Sequence, residues 1–229
     1  MKQMKCLAAL GLIAASGIAN AGISSTITAV NDYDFRGITQ TEEKPALQAS
    51  FDYAHDSGFY VGAWASNVHF PGYNGDVELD GYAGFTGKLG ETSSWDAGFV
   101  YYSYPGSTDD DGKSKIPNFP EIYASITTGV FKTKFSYSND FGGSDESAYY
   151  IDFTVNAPIG KNFSLQAHGG YSLGDGAIAI AGKEYIDFYG GVGYALGNFN
   201  LAVKYTDTNR PGNIDGRVIF SVATTFPWK

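Results

Sequence analysis

The chain of 229 residues carries 15 Lys and Arg against 24 Asp and Glu, a formal net charge of −9. With no basic stripe to neutralise phosphates, nucleic acid is excluded as a partner. Thirty glycines, 17 tyrosines and 16 phenylalanines beside a single cysteine and 8 prolines describe an aromatic, glycine-rich all-β composition and exclude a disulfide-stapled secreted scaffold.

The first element is a leader. Lys2 and Lys5 precede an apolar and small-residue run from Leu7 to Ile18, followed by Ala19-Asn20-Ala21, which is a charged region, a short apolar region and an A-x-A cleavage site. The run is too short for a spanning helix, which needs about 17 to 25 residues. Residues 1–21 are therefore expected to be a cleaved signal peptide, and residues 22–229 the mature domain. Cys6 leaves with the leader, and removing Lys2 and Lys5 takes the charge from −9 to −11.

Beyond the leader no window sustains an i, i+3, i+4 apolar stripe, whereas period-two alternation recurs throughout. Val77, Leu79, Gly81, Ala83 and Phe85 share one face, and Glu78, Asp80, Tyr82, Thr86 and Lys88 the other. The same split appears in Tyr149, Ile151, Phe153 and Val155 against Tyr150, Asp152, Thr154 and Asn156, and in Phe163, Leu165 and Ala167 against Ser164, Gln166 and His168. This pattern predicts about twelve strands, at 23–36, 45–55, 58–69, 76–88, 94–104, 119–128, 130–139, 147–157, 162–172, 183–195, 198–207 and 216–226. Ten or fourteen strands remain alternatives. Most segments reach the roughly 9 to 11 residues of a tilted strand crossing a bilayer.

The connections alternate in length. Short turns at 55–58, 90–93, 128–129, 158–161 and 196–197 separate longer polar loops at 37–44, 71–75, 105–117, 140–146, 174–182 and 208–215. Outer-membrane barrels alternate in this way, with short periplasmic turns and long outer loops. The expected fold class is thus all-β: a transmembrane antiparallel up-and-down β-barrel in the outer membrane of a Gram-negative bacterium.

Two observations orient the faces. The apolar set has no mid-strand Asp, Glu, Lys or Arg, and a midplane Lys or Arg facing lipid would cost about 2 to 4 kcal/mol. The other set mixes charges with tyrosine and glycine, which suits a crowded aqueous interior. The lumen-lining set expected from parity is Arg36, Asp52, Glu78, Asp80, Asp96, Lys132, Lys134, Asp152, His168, Asp187 and Lys204, with Asp32, Asp34, Lys88 and Arg217 beside them. Aromatics near strand ends, among them Tyr33, Phe35, Phe59, Trp95, Phe199, Tyr205, Phe226 and Trp228, are expected to form interfacial belts.

The run Tyr33-Asp34-Phe35-Arg36-Gly37-Ile38-Thr39-Gln40, then Pro45-Ala46-Leu47-Gln48, Ser57-Gly58-Phe59-Tyr60-Val61-Gly62 and Trp64-Ala65-Ser66-Asn67 resembles the opening of the TorF-like porin family, proteobacterial exported barrel proteins of unknown function. Length, leader and strand rhythm extend the likeness over the whole chain, while the sharp motif is confined to residues 33–67. The resemblance implies an outer-membrane location and a pore, without a solute. One departure is the end: barrels of this kind usually finish on an aromatic, whereas Phe226-Pro227-Trp228 is followed by Lys229.

Twelve strands lie between the eight that side chains fill and the sixteen to eighteen that leave an aqueous channel, so a narrow path for small hydrophilic solutes or ions is expected. The acidic excess predicts a mild cation preference. The alternative is that these charges pair across the lumen and plug it, leaving a structural barrel or one that binds through its loops. Arg36 is expected to reach either Asp34 or Asp52, or a lipopolysaccharide phosphate. The loop Gly174–Gly182, with Ala177-Ile178-Ala179-Ile180 at its centre, is the one expected to enter the lumen or touch a partner.

An outer-membrane lipid-acting enzyme is the third reading. Ser164 and His168 share a face but stand about 13 Å apart along a strand at ~3.3 Å per residue, too far for a catalytic hydrogen bond. The scattered His55, His69 and His168 make no zinc site, and the spacing of Asp109-Asp110-Asp111-Gly112 does not fit a calcium loop. No cofactor motif is present. The expected partners are outer-membrane lipid and lipopolysaccharide, a small hydrophilic solute or ions and, during biogenesis, the barrel-assembly machinery.

Overall fold

The computed structural model describes residues 22–109, 111–112, 115–212 and 216–227. The leader, Asp110, Asp215 and the terminal Trp228-Lys229 lie outside the described residues.

The strands, in chain order, are β1 (Gly22–Val30), β2 (Asp34–Phe35), β3 (Ile38–Thr39), β4 (Ala46–Ala54), β5 (Phe59–Asn67), β6 (Val77–Leu89), β7 (Ser93–Ser103), β8 (Phe119–Thr128), β9 (Phe131–Ser138), β10 (Ala148–Ile159), β11 (Phe163–Leu173), β12 (Tyr185–Leu196), β13 (Phe199–Thr208) and β14 (Arg217–Phe226). All but β2 and β3 form one closed antiparallel barrel of twelve strands, with β1 pairing both β4 and β14 to close the ring. Closure leaves no unpaired sheet edge, the condition for placing a sheet in hydrocarbon.

Side-chain alternation decides which way each strand turns. Leu47, Phe51, Phe131 and Phe153 point outward and are 57% to 63% exposed, whereas Tyr82, Tyr102, Tyr150 and Tyr185 point inward and are buried. Among the described residues the outward positions of the barrel strands hold no Asp, Glu, Lys or Arg until Asp207, near the end of β13. So much exposed apolar surface is compatible with hydrocarbon, not with water. Among the described residues no helix is long and apolar enough to cross a membrane.

One sequence expectation is corrected by the fold. The first strand does not run to residue 36 but stops at Val30. The Asn31 side chain then bonds the β14 backbone, donating to the Val218 carbonyl at 3.1 Å and accepting from the Phe220 amide at 2.6 Å, which satisfies the ladder and frees the main chain to leave it. Residues 31–45 fold into the barrel instead of extending it. The loop Gly174–Gly182, expected to enter the lumen or touch a partner, forms a helix, α1 (Asp175–Ala181), which packs on β10, β11 and the 3-10 turn Phe141–Gly143, with Ala177 fully buried in the same cluster as the inward-facing Tyr102 and Phe119.

Candidate functional site

The short β2 and β3 form a two-residue hairpin whose turn is Arg36-Gly37. Both residues have positive φ, 51° and 78°, which is the type I′ geometry that matches strand twist. Gly37 adopts this conformation without strain, while Arg36 does so at a cost of about 1 to 2 kcal/mol. The cost is offset by what Arg36 reaches across the lumen. Its guanidinium bonds Glu121 on β8 at 2.5 Å and lies 4.1 Å from the centre of the Tyr150 ring on β10. Burial opposes the charged guanidinium, but the Glu121 carboxylate beside it holds the Arg36 pKa above its ordinary value. Arg36 therefore pairs with neither Asp34 nor Asp52, and its buried partner leaves no part for a lipopolysaccharide phosphate.

A second arginine fastens the base of the hairpin. Arg217 on β14 bonds both Asp32 and Asp34, and donates to the Gly37 carbonyl at 2.9 Å. Burial pushes the Asp34 carboxyl up from its usual range, and Arg217 pulls the other way, so the charge on Asp34 depends on that guanidinium. Asp32 also accepts from Thr39 at 2.5 Å and from Thr41 at 3.2 Å, which ties the two arms together. The inserted segment thus spans the barrel from β14 to β8.

Its aromatics fill the remaining space. Tyr33 packs edge-on against Trp64 of β5 at 5.3 Å, and Phe35 against Tyr102 of β7 at 5.8 Å. Tyr102 stacks on Phe119, which meets Phe141. Tyr33 and Phe35 therefore belong to the interior and not to an interfacial belt. Beneath them, at the long-loop end of β6, stand Glu78 and Asp80, 2% and 0% exposed. Glu78 has one oxygen 3.5 Å from the Tyr104 hydroxyl; among the described residues its other oxygen and both Asp80 oxygens have no partner at ordinary hydrogen-bond geometry.

Further charges and tyrosines line the rest of the lumen. Asp52 accepts from Tyr82 and Ser50, and Asp96 from Tyr60 at 2.5 Å. The Lys134 and Lys204 ammonium groups lie 4.4 Å from the ring centres of Tyr123 and Tyr189. His168 stacks on Tyr189 and meets Tyr150, Asp187 and Thr154, with Asp152 at 4.0 Å; none of these is a serine. Lys132 faces the same space from β9 beside Lys134, while Lys88 lies exposed at the short-turn end of β6. The wall is polarised: β4 to β7 contribute Asp52, Glu78, Asp80 and Asp96 with no base but Lys88, whereas β8 to β14 set Glu121, Asp152 and Asp187 against Lys132, Lys134, Lys204 and Arg217.

Sequence reasoning missed Glu121, which anchors Arg36. The alternation Phe119, Glu121, Tyr123, Ser125 against Pro120, Ile122, Ala124, Ile126 carries the signal, since the second set faces outward.

Comparison with known proteins gives a family. Residues 14–226 match the model of a bacterial protein family of unknown function, Gcw_chp, and the chain belongs to it. The TorF-like name finds no support there, and no curated protein matches the chain. Among solved structures it is similar to the KdgM porin in complex with disordered oligogalacturonate, at 11% identity and a TM-score of 0.57, over 90% of this chain and 99% of that one. A second KdgM porin structure gives 11% identity and a TM-score of 0.56 over the same shares. The OprD of Pseudomonas aeruginosa matches at 12% identity over 90% of this chain and 66% of its own, with a TM-score of 0.43, too low to carry an argument. At these identities the likeness establishes the barrel fold.

Proposed function

We propose that the protein is a narrow outer-membrane porin for small hydrophilic solutes or ions, held closed at its long-loop end by the segment 31–45. The observation that carries this reading is the division of the lumen. A twelve-stranded wall lined with charges and tyrosines is wide enough for a path, and what blocks it is a hairpin outside the barrel ladder, held by side chains. Such a plug can be displaced without unfolding the wall. The apolar outer surface and the likeness to KdgM porins support an outer-membrane location, with the long loops outside. A signal peptide at 1–21, lipopolysaccharide around the wall and delivery by the barrel-assembly machinery accompany this reading.

The buried aromatic packing of Tyr33, Phe35, Tyr102 and Phe119 favours a second reading, a permanently plugged structural barrel. Single-channel conductance of the refolded chain from Gly22 onward, in a planar bilayer, separates the two. A heat-modifiability gel run beside it reports barrel formation. Discrete steps support the porin; a folded barrel that never conducts, even without its hairpin aromatics, leaves the structural reading.

A further inference from the structure

Register places Trp64 of β5, Asp80 of β6 and Tyr102 of β7 directly beside one another on the inward face. Neighbouring strands lie about 4.8 Å apart, so this row is an acid between two aromatic rings. Glu78 follows two residues earlier on the same face of β6. Among the described residues three carboxylate oxygens of this pair have no partner at ordinary hydrogen-bond geometry, although the residues are 2% and 0% exposed. Buried carboxylates are ordinarily paired, and each exception calls for a reason.

The aromatics of the hairpin cover this row. Tyr33 lies on Trp64 and Phe35 on Tyr102, the two rings that flank Asp80. The Tyr33 hydroxyl comes from a different element, is buried with its ring at 6% exposure, and stands beside Glu78 and Asp80. Burial and those two acids hold the Tyr33 phenol well above its ordinary pKa, so it covers the acids as a neutral group and not as their counter-ion. Among the described residues no Lys or Arg pairs with either acid of the row.

The chemistry of the walls selects the kind of cation. Among the described residues no cluster of three or more His, Cys, Asp or Glu is placed to hold a metal ion, and a hard metal ion would need six or more oxygens. The row offers ring faces instead, and an ammonium group within about 6 Å of a tryptophan or tyrosine ring is drawn to it. We propose that Trp64, Asp80, Tyr102 and Glu78 form a binding site for small organic ammonium ions, and that Tyr33 and Phe35 of the hairpin cover it until such an ion displaces them. This rests on the reading of the lumen as a solute path, and it makes the permeant class a cationic one that unlocks its own entry.

Isothermal titration calorimetry of the refolded chain, with tetramethylammonium and putrescine as probes and succinate as an anionic control, tests the site without requiring conduction. Both ammonium ions are expected to bind saturably and succinate not to bind. The Tyr33→Ala/Phe35→Ala double variant, freed of its cover, is expected to bind at least about tenfold more tightly, and Asp80→Asn at least about tenfold more weakly. If Asp80→Asn fails to show folded mobility on the gel, Glu78→Gln carries the same comparison. Saturable binding that Asp80→Asn leaves unchanged, or no saturable heat from either ion in the double variant, overturns the site. Conductance of the same preparations judges the porin reading separately: a barrel that binds ammonium yet never conducts retires the pore and keeps the site, and the converse result retires the site alone.

Discussion

Replacing Arg217 by alanine removes the one group that holds both acids at the base of the inserted hairpin. The Arg217 side chain is 9% exposed and those of Asp32 and Asp34 are 3% and 11%, so the pairs are buried. Taking away one partner of such a pair leaves uncompensated charge at a cost of about 3 to 5 kcal/mol. Once the hairpin lifts, lumen water hydrates the freed carboxylates, which places the cost on docking and not on the barrel. The lower figure applies, and about 3 kcal/mol shifts the docked-to-undocked ratio by roughly two powers of ten. The expected result is a large rise in open time in single-channel recordings of Arg217→Ala. Arg217→Lys, which keeps the charge but not the fork that spans two carboxylates, should fall between. Global unfolding by guanidinium should move little, because β2 and β3 lie outside the twelve-strand ladder. A folded Arg217→Ala barrel with the gating of the wild type would refute the latch.

Two further predictions address the hairpin tip and the outer wall. A Cβ at Gly37 would stand 2.8 Å from the Asp187 Cβ and 2.9 Å from the Thr208 Cβ, on a backbone with φ of +78°. Gly37→Ala should therefore lift the tip and expose the bond after Arg36 to trypsin, read by mass spectrometry of the fragments; resistance equal to that of the wild type would show that the tip is not held there. Phe153, 60% exposed at the middle of β10, faces lipid in this reading, so Phe153→Arg should lower the stability of the vesicle-embedded barrel by about 2 to 4 kcal/mol in a urea titration. An unchanged midpoint would place that face elsewhere than in hydrocarbon.

Much of the architecture was legible in the chain itself, for a local reason. A strand shows its two faces to its neighbours every second residue, so Val77 to Lys88 declares its inner and outer sets without knowledge of any partner. Turn lengths, likewise, reside in a few consecutive residues. Alternation and turns together determined a barrel of about twelve antiparallel strands. What they left open is where a segment goes once alternation stops mattering. Asp34, Phe35 and Arg36 continue the rhythm of the first strand and read as its end. In the folded molecule Arg36 meets Glu121 and Asp34 meets Arg217, 85 and 183 residues away in sequence. A hairpin of two-residue arms has too few backbone hydrogen bonds to stand alone, so only the closed wall, which brings these residues within reach, could decide that it turns inward. The same holds for Glu78 and Asp80: their parity was plain in sequence, but that none of the described Lys and Arg residues pairs with them is a property of the assembled barrel.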